Sequence, residues 1–185
     1  MIQARELISP AYKALQLELH SRPKGYGGKG DKWASAVRSL ITRFEATSVL
    51  DYGCGEGALK KALRPMCDST VRIDEYDVAI PGKDNVLNLT FADLVVCTDV
   101  LEHIEPDRLS TVLAHIRMLA RKAVFAVIAT RPSNKIMADG RNAHLIQESA
   151  EWWSLTLIAA GFSIQPNPPI SPLKKPSREL VAVLT

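Results

Sequence analysis

The stretch Val49-Leu50-Asp51-Tyr52-Gly53-Cys54-Gly55-Glu56-Gly57 decides the architecture. It reads as a strand that ends on a carboxylate, a turn with glycine at alternate positions, and the start of a helix. Glycine tolerates backbone angles closed to other residues and lets the chain approach a ligand without Cβ interference. The helix that follows offers backbone N–H groups with no partner in their own helix. Together these features place a small-molecule crevice at the carboxyl end of a parallel-sheet strand.

Outward from this loop, the chain alternates between strand and helix patterns. Residues 3–20 have helical periodicity through Leu7, Tyr12, Leu15 and Leu19, with Pro10 a candidate break, and 21–31 form a Gly-rich loop. Trp33, Val37, Leu40, Ile41 and Phe44 make the apolar face of a helix over 32–45. Strands are expected at 47–51, 69–77, 92–98 and 123–130, with helices at 57–64, 106–120 and 148–160. The near-continuous apolar run at 92–98 suits a central parallel strand. Residues 162–165 and 179–184 read as an antiparallel edge pair, and 166–176, with five prolines, as a stiff loop. Trp152 and Trp153 are neighbours on a helix and cannot face the same way. The expected fold is a single α/β domain with no internal repeat.

The 185 residues suffice for one domain with helices on both sheet faces, and a net charge of +3 is too mild to demand a nucleic-acid partner. Charge is unevenly spread: 1–48 holds eight bases and four acids, 117–141 six bases and one acid, and 93–107 five acids and no Lys or Arg. The basic segments either face a phosphate-bearing substrate or are solvated surface. Three cysteines without a CxxC pair argue against structural zinc and for a reducing compartment. No apolar run is long enough for a membrane span, and no apolar signal core is seen, so a cytoplasmic protein without membrane contact is expected.

With these landmarks the chain resembles the class I S-adenosylmethionine-dependent methyltransferases, particularly their small bacterial and phage-type members. The resemblance rests on VLDYGCGEG at 49–57, RIDEYDVAIP at 72–81, ADLVVCTDVLEHIEP at 92–106 and NAHLIQESAEWWSLTLIAAGF at 142–162, and spans residues 46–185. It implies a Rossmann-like fold with a mostly parallel central sheet, preceded by a helical or lid segment at 1–45. It also implies S-adenosylmethionine as cofactor and methyl transfer to an oxygen or nitrogen of a small-molecule or nucleic-acid substrate. The glycines at 53, 55 and 57 fit this family better than the G-x-G-x-x-G spacing of dinucleotide binders. NPPI at 167–170 is not the Asn/Asp-Pro-Pro-Tyr motif of amino-methylating DNA enzymes, lacking the aromatic residue and falling after the wrong strand.

By resemblance, Gly53, Cys54, Gly55 and Gly57 line the cofactor, and Asp51 meets its methionine end or organises the loop. The ribose acid is Asp77 or Asp74, with Asp77 preferred from the Tyr-Asp-Val-Ala phrase. Only fifteen residues separate Asp77 from Asp93, so the fold is shortened between the family's strands two and four. Adenine would then be met by Asp84, by backbone around 87–89, or by apolar contacts. Asp99, Glu102 and His103 follow the 92–98 strand, and Asp99 also counts among the cofactor candidates. His103 is either a general base with a pKa near neutrality, or a packing residue beneath a loop oriented by Glu102. His144 is the second candidate base, and Tyr26, Arg131, Arg141 and Asn142 are candidate substrate contacts. Pairing of Arg141 with Asp139 is the structural alternative.

Two further readings stay open. The protein is a non-catalytic accessory that keeps the fold, or Asp99, Glu102, His103 and His144 hold a divalent ion, a spacing similar to small-RNA 3′-terminal ribose 2′-O-methyltransferases. The leading reading uses no metal, and the oligomeric state is left open.

Overall fold

Ala92–Thr98 is buried along nearly its whole length because helices cover both faces of the sheet it centres. The computed structural model describes residues 7–22, 27–86, 89–166 and 178–185. Its strands are β1 (Ser48–Tyr52), β2 (Arg72–Tyr76), β3 (Ala92–Thr98), β4 (Ala120–Ala129) and β5 (Glu179–Leu184). They form one sheet in the order β2-β1-β3-β4-β5, parallel except for the antiparallel β4–β5 pair. The chain leaves β1 toward β2 and returns to β3 on the other side, so a crevice opens at the carboxyl ends of β1 and β3.

The α-helices are α1 (Pro10–Ser21), α2 (Ala34–Arg43), α3 (Ala58–Leu63), α4 (Leu109–Leu119) and α5 (Ala150–Ala159). Strand alternation divides the core. Leu94, Val96, Phe125 and Val127 face α2 and α3, while Val95, Cys97, Ala126 and Ile128 face α4 and α5. Trp153 is fully buried on α5 while Trp152 turns outward, 37% exposed, as adjacent helical positions require.

Three local features bear on the sequence reading. The 3–20 segment is broken where Pro10 stands: Leu7 is helical, Ile8 and Ser9 are not, and α1 begins at Pro10, whose missing N–H costs nothing in a first turn. The Ser9 hydroxyl caps the helix through the Tyr12 N–H at 3.2 Å. β4 starts earlier than expected, directly after α4: the exposed Arg121 and Lys122 interrupt its apolar pattern without interrupting its backbone. Residues 163–165 pair antiparallel with the end of the chain as expected, Ser163 exchanging backbone bonds with Thr185 at 2.8 and 3.0 Å and the Gln165 N–H donating to Val183 at 2.8 Å, while β5 also pairs with β4. Between β2 and β3 the described residues hold turns and no strand, in keeping with the shortened segment. Most of the proline-rich stretch, including the NPPI phrase, lies outside the described residues.

Candidate functional site

The loop after β1 is stitched to the end of β2. The N–H groups of Gly53 and Cys54 both donate to the Tyr76 carbonyl, at 2.8 and 3.1 Å, and the Gly55 N–H donates to Asp77 Oδ2 at 3.0 Å. Gly53 has φ +79°, and a Cβ there would run into the Val100 side chain. Gly55 has φ +51°, and its Cβ position is taken by the Gly27 backbone, whose carbonyl accepts the Glu56 N–H at 3.3 Å. What comes close to these two glycines is therefore the protein's own chain, where the sequence reading expected a ligand. Gly57 precedes the short α3 with a left-handed backbone, and Cys54 is a buried thiol whose pKa burial pushes up, leaving it unreactive.

Above this loop lies a cavity of about 620 Å³, a size suited to a cofactor with a small acceptor. Asp51, Gly53, Cys54, Gly55 and Asp77 line one end; Asp99, His103, Arg131 and His144 also line it. Of the acids at the end of β2, Asp77 alone lines the cavity, and it also accepts the Ala79 N–H at 3.0 Å. Asp74 pairs with Arg72, while Glu75 pairs with Lys83 at 3.2 Å and Lys60 at 3.4 Å. Lys83 also binds the Gly55 carbonyl at 3.0 Å, supporting the loop. The Asp51 carboxyl accepts no hydrogen bond among the described residues, and burial, with Glu75 nearby, pushes its pKa up to about 7.

At the other end, Asp99 takes φ +56°, donates its N–H to the Val127 carbonyl at 2.9 Å, and forms an ion pair with Lys32 at 2.9 Å. Glu102 is fully buried; its Oε1 accepts the Ala129 N–H at 3.0 Å and its Oε2 has no partner among the described residues. Desolvation, with the Asp99 charge adding to it, pushes the Glu102 pKa up to about 8. His103 Nδ1 lies 2.7 Å from the Ala143 carbonyl and His144 Nδ1 lies 2.6 Å from the Arg131 carbonyl. A carbonyl only accepts, so both rings carry their proton on Nδ1, which makes Nε2 the accepting nitrogen of each. The rings meet edge to face at 4.7 Å.

Burial and the neighbouring His144 push His103 down to about 3. This favours the neutral imidazole at His103, the form able to accept a proton, while Glu102 and Asp51 are the buried groups whose pKa is raised toward neutrality. One carboxylate oxygen of Glu102 and one ring nitrogen each of His103 and His144 lie within 4.8 Å of one another, a three-ligand set able to hold a metal ion. Its imidazoles are oriented by backbone carbonyls, the arrangement typical of metal-binding histidines. Asp99 stands apart from this set, turned to Lys32.

Arg141 and Asn142 do not line the cavity. Arg141 binds Asp139 at 2.7 Å, and Asn142 ties the Ser133 and His144 N–H groups together through its Oδ1. Both organise the loop that carries His144. Asp84 pairs with Lys13 at 2.7 Å, and Tyr26 lies outside the described residues. The sequence reading missed Tyr12, Gln16 and Lys32, all of which line the cavity. The Ser9-Pro10 capping signal was the available clue that a rigid helix starts there.

The chain belongs to the methyltransferase-domain family, whose model matches residues 24–166. It is an enzyme of the class I methyltransferase fold, and solved structures similar to it hold S-adenosylmethionine or S-adenosylhomocysteine. No protein of curated function matches the sequence. Among solved structures, it is similar to the Burkholderia thailandensis 1,6-didemethyltoxoflavin-N1-methyltransferase, solved with 1,6-didemethyltoxoflavin and S-adenosylhomocysteine. That match has 19% identity over 85% of this chain and 78% of the other, with a TM-score of 0.58. The CcbJ methyltransferase of Streptomyces caelestis matches at 12% identity over 94% and 96% of the two chains, TM-score 0.60. The methyltransferase domain of bacterial CtHen1-C matches at 18% over 84% and 97%, TM-score 0.58. Among the described residues no helix is long and apolar enough to cross a membrane.

The two buried carboxyls set a pH dependence. The Glu102 pKa rises from 4.5 to about 8 on folding, so its contribution to stability is full below 4.5 and lost as pH rises through 8. Asp51, rising from 3.8 to about 7, acts in the same direction. Thermal melts in metal-free buffer should show wild-type stability falling by a few kcal/mol between about pH 5 and pH 9. Glu102→Gln should flatten that decline; parallel curves for the two proteins would contradict the buried-carboxyl assignment.

Proposed function

We propose that the enzyme transfers the cofactor's methyl group to an oxygen or nitrogen nucleophile of a small-molecule or nucleic-acid acceptor. The observation that carries this is one cavity with an acidic glycine loop at one end and two neutral imidazoles at the other. S-adenosylmethionine supplies an electrophilic methyl on a sulfonium, so placing a nucleophile in line is most of the catalysis. Asp51, whose carboxyl accepts no hydrogen bond among the described residues, receives the cofactor's ammonium, and Asp77 receives its ribose hydroxyls with the lone pairs its two amide bonds leave over. Asp99, His103 and His144 face the acceptor, with Arg131 on the rim. On this reading the described residues before 46, Tyr12, Gln16 and Lys32 among them, cover the cavity, and the described residues from 46 onward form the core. Three free cysteines, two of them buried, favour a cytoplasmic setting.

Calorimetry with S-adenosylhomocysteine tests the cofactor end. Wild-type protein should bind, more tightly as pH rises through about 7 and Asp51 ionises. Asp51→Asn and Asp77→Asn should each weaken binding about tenfold, the worth of roughly one charge-assisted hydrogen bond. Wild-type affinity in both variants would remove these assignments, and no binding to wild type would remove the methyl-transfer reading.

A second reading is favoured by the unpartnered Glu102 Oε2 between His103 and His144. On that reading, a divalent ion held by these three residues polarises an acceptor hydroxyl, as in methylation of a ribose diol. Manganese titration should then show stoichiometric binding that strengthens with pH through about 8, as Glu102 loses its proton. Methyl transfer unaffected by chelation would reject it.

A further inference from the structure

Helix α1 holds the acceptor end of the cavity at several points. The Ser9 N–H and hydroxyl both donate to the Glu105 carboxylate, at 2.8 and 2.6 Å, in the loop that carries His103. One turn on, the Tyr12 hydroxyl donates to the His103 carbonyl at 2.6 Å and accepts from Gln16 Nε2 at 2.5 Å. That carbonyl ends the 3-10 turn Leu101–His103, where the helix has no partner of its own to offer.

Tyr12 also touches the second loop of the site. It is buried with Ile8, Leu19, Met137 and Ala143, so the apolar face of α1 packs on the loop carrying His144. The Arg141 guanidinium lies 5.6 Å from the Tyr12 ring centre, and Arg22 donates to the Ile136 carbonyl at 2.7 Å. Ala143, in the same cluster, is the residue whose carbonyl holds the His103 ring. Tyr12 therefore contacts the backbone of His103 on one side and the loop that fixes its imidazole on the other. Burial raises the phenol's pKa, so it remains a donor across the accessible pH range.

We propose that Tyr12 is a positioning residue: its hydroxyl, bound to the His103 carbonyl, sets the His103 imidazole against Ala143 and His144 at the acceptor end. This rests on the reading of His103 as an acceptor-side residue. Helix α1 is then part of the wall of the acceptor site. Closure over the glycine loop is left to Gly27 and to the Lys32–Asp99 ion pair.

The chain has four histidines, which makes imidazole nitrogen NMR on the full-length protein decisive. In wild type, His103 should show a fixed Nδ1–H tautomer, read as one protonated and one unprotonated ring-nitrogen shift. Tyr12→Phe keeps the ring and removes the hydroxyl; it should give His103 a mixed tautomer with averaged ring-nitrogen shifts. Lys13→Met breaks the ion pair between the same helix and Asp84 and should leave His103 as in wild type. If Tyr12→Phe fails to fold, Gln16→Leu, which removes the phenol's second partner, should shift His103 the same way by less. A His103 that is unchanged in the Tyr12 or Gln16 variant, or altered equally by Lys13→Met, overturns the proposal. Cofactor calorimetry on wild type is read separately: absent binding would remove the methyl-transfer reading and leave the His103 result standing.

Discussion

The turn that leads from β1 into α3 closes because Gly53 has a left-handed backbone in a space already filled by Val100. Any side chain at Gly53 would push Val100 and the loop after β3 away from the sheet rim. The same turn aims the Gly53 and Cys54 amides at Tyr76 and the Gly55 amide at Asp77. The ends of three strands are thereby drawn together, and Asp51, Asp77 and Asp99 come to border one cavity. Three acids facing one space suit a cationic ligand, and burial, followed by the charges of Glu75 and Asp77, raises the pKa of Asp51, the most buried of them.

The opposite end of the cavity is governed by buried polar groups. Glu102, His103 and His144 are held by Ala129, Ala143 and Arg131 backbone groups, so loop conformation fixes their geometry. Such an arrangement costs stability wherever a polar atom is left unmatched, as at Glu102 Oε2. On the proposed reading that cost is functional: two neutral imidazoles beside a buried carboxyl can take a proton from an acceptor or hold a cation.

Much of this was legible in the sequence. The apolar run at 92–98 and the glycine spacing specify strands and turn through purely local constraints, and β3 has the expected bounds. Asp77 was distinguishable from Asp74 because it follows the strand, where the chain turns into the crevice. Less could be read where long-range contacts decide. Arg141 and Asn142 have the chemistry of ligand contacts, and only the fold shows them spent on Asp139 and Ser133. The lowered basicity of His103 depends on burial by residues distant in sequence, as does the part Tyr12 takes in the site. Ser9 and Pro10 were a local signal of cap and first turn, and the break expected near Pro10 falls at Ile8 and Ser9.

The central claim is that one cavity joins the glycine loop to the Glu102–His103–His144 cluster, with the cofactor lying between. A crystal structure with S-adenosylhomocysteine tests it most directly. The account predicts the ammonium at Asp51, the ribose at Asp77 and the sulfur turned toward Asp99 and His103. A ribose held by Asp74, or a sulfur facing away from the two histidines, would contradict it.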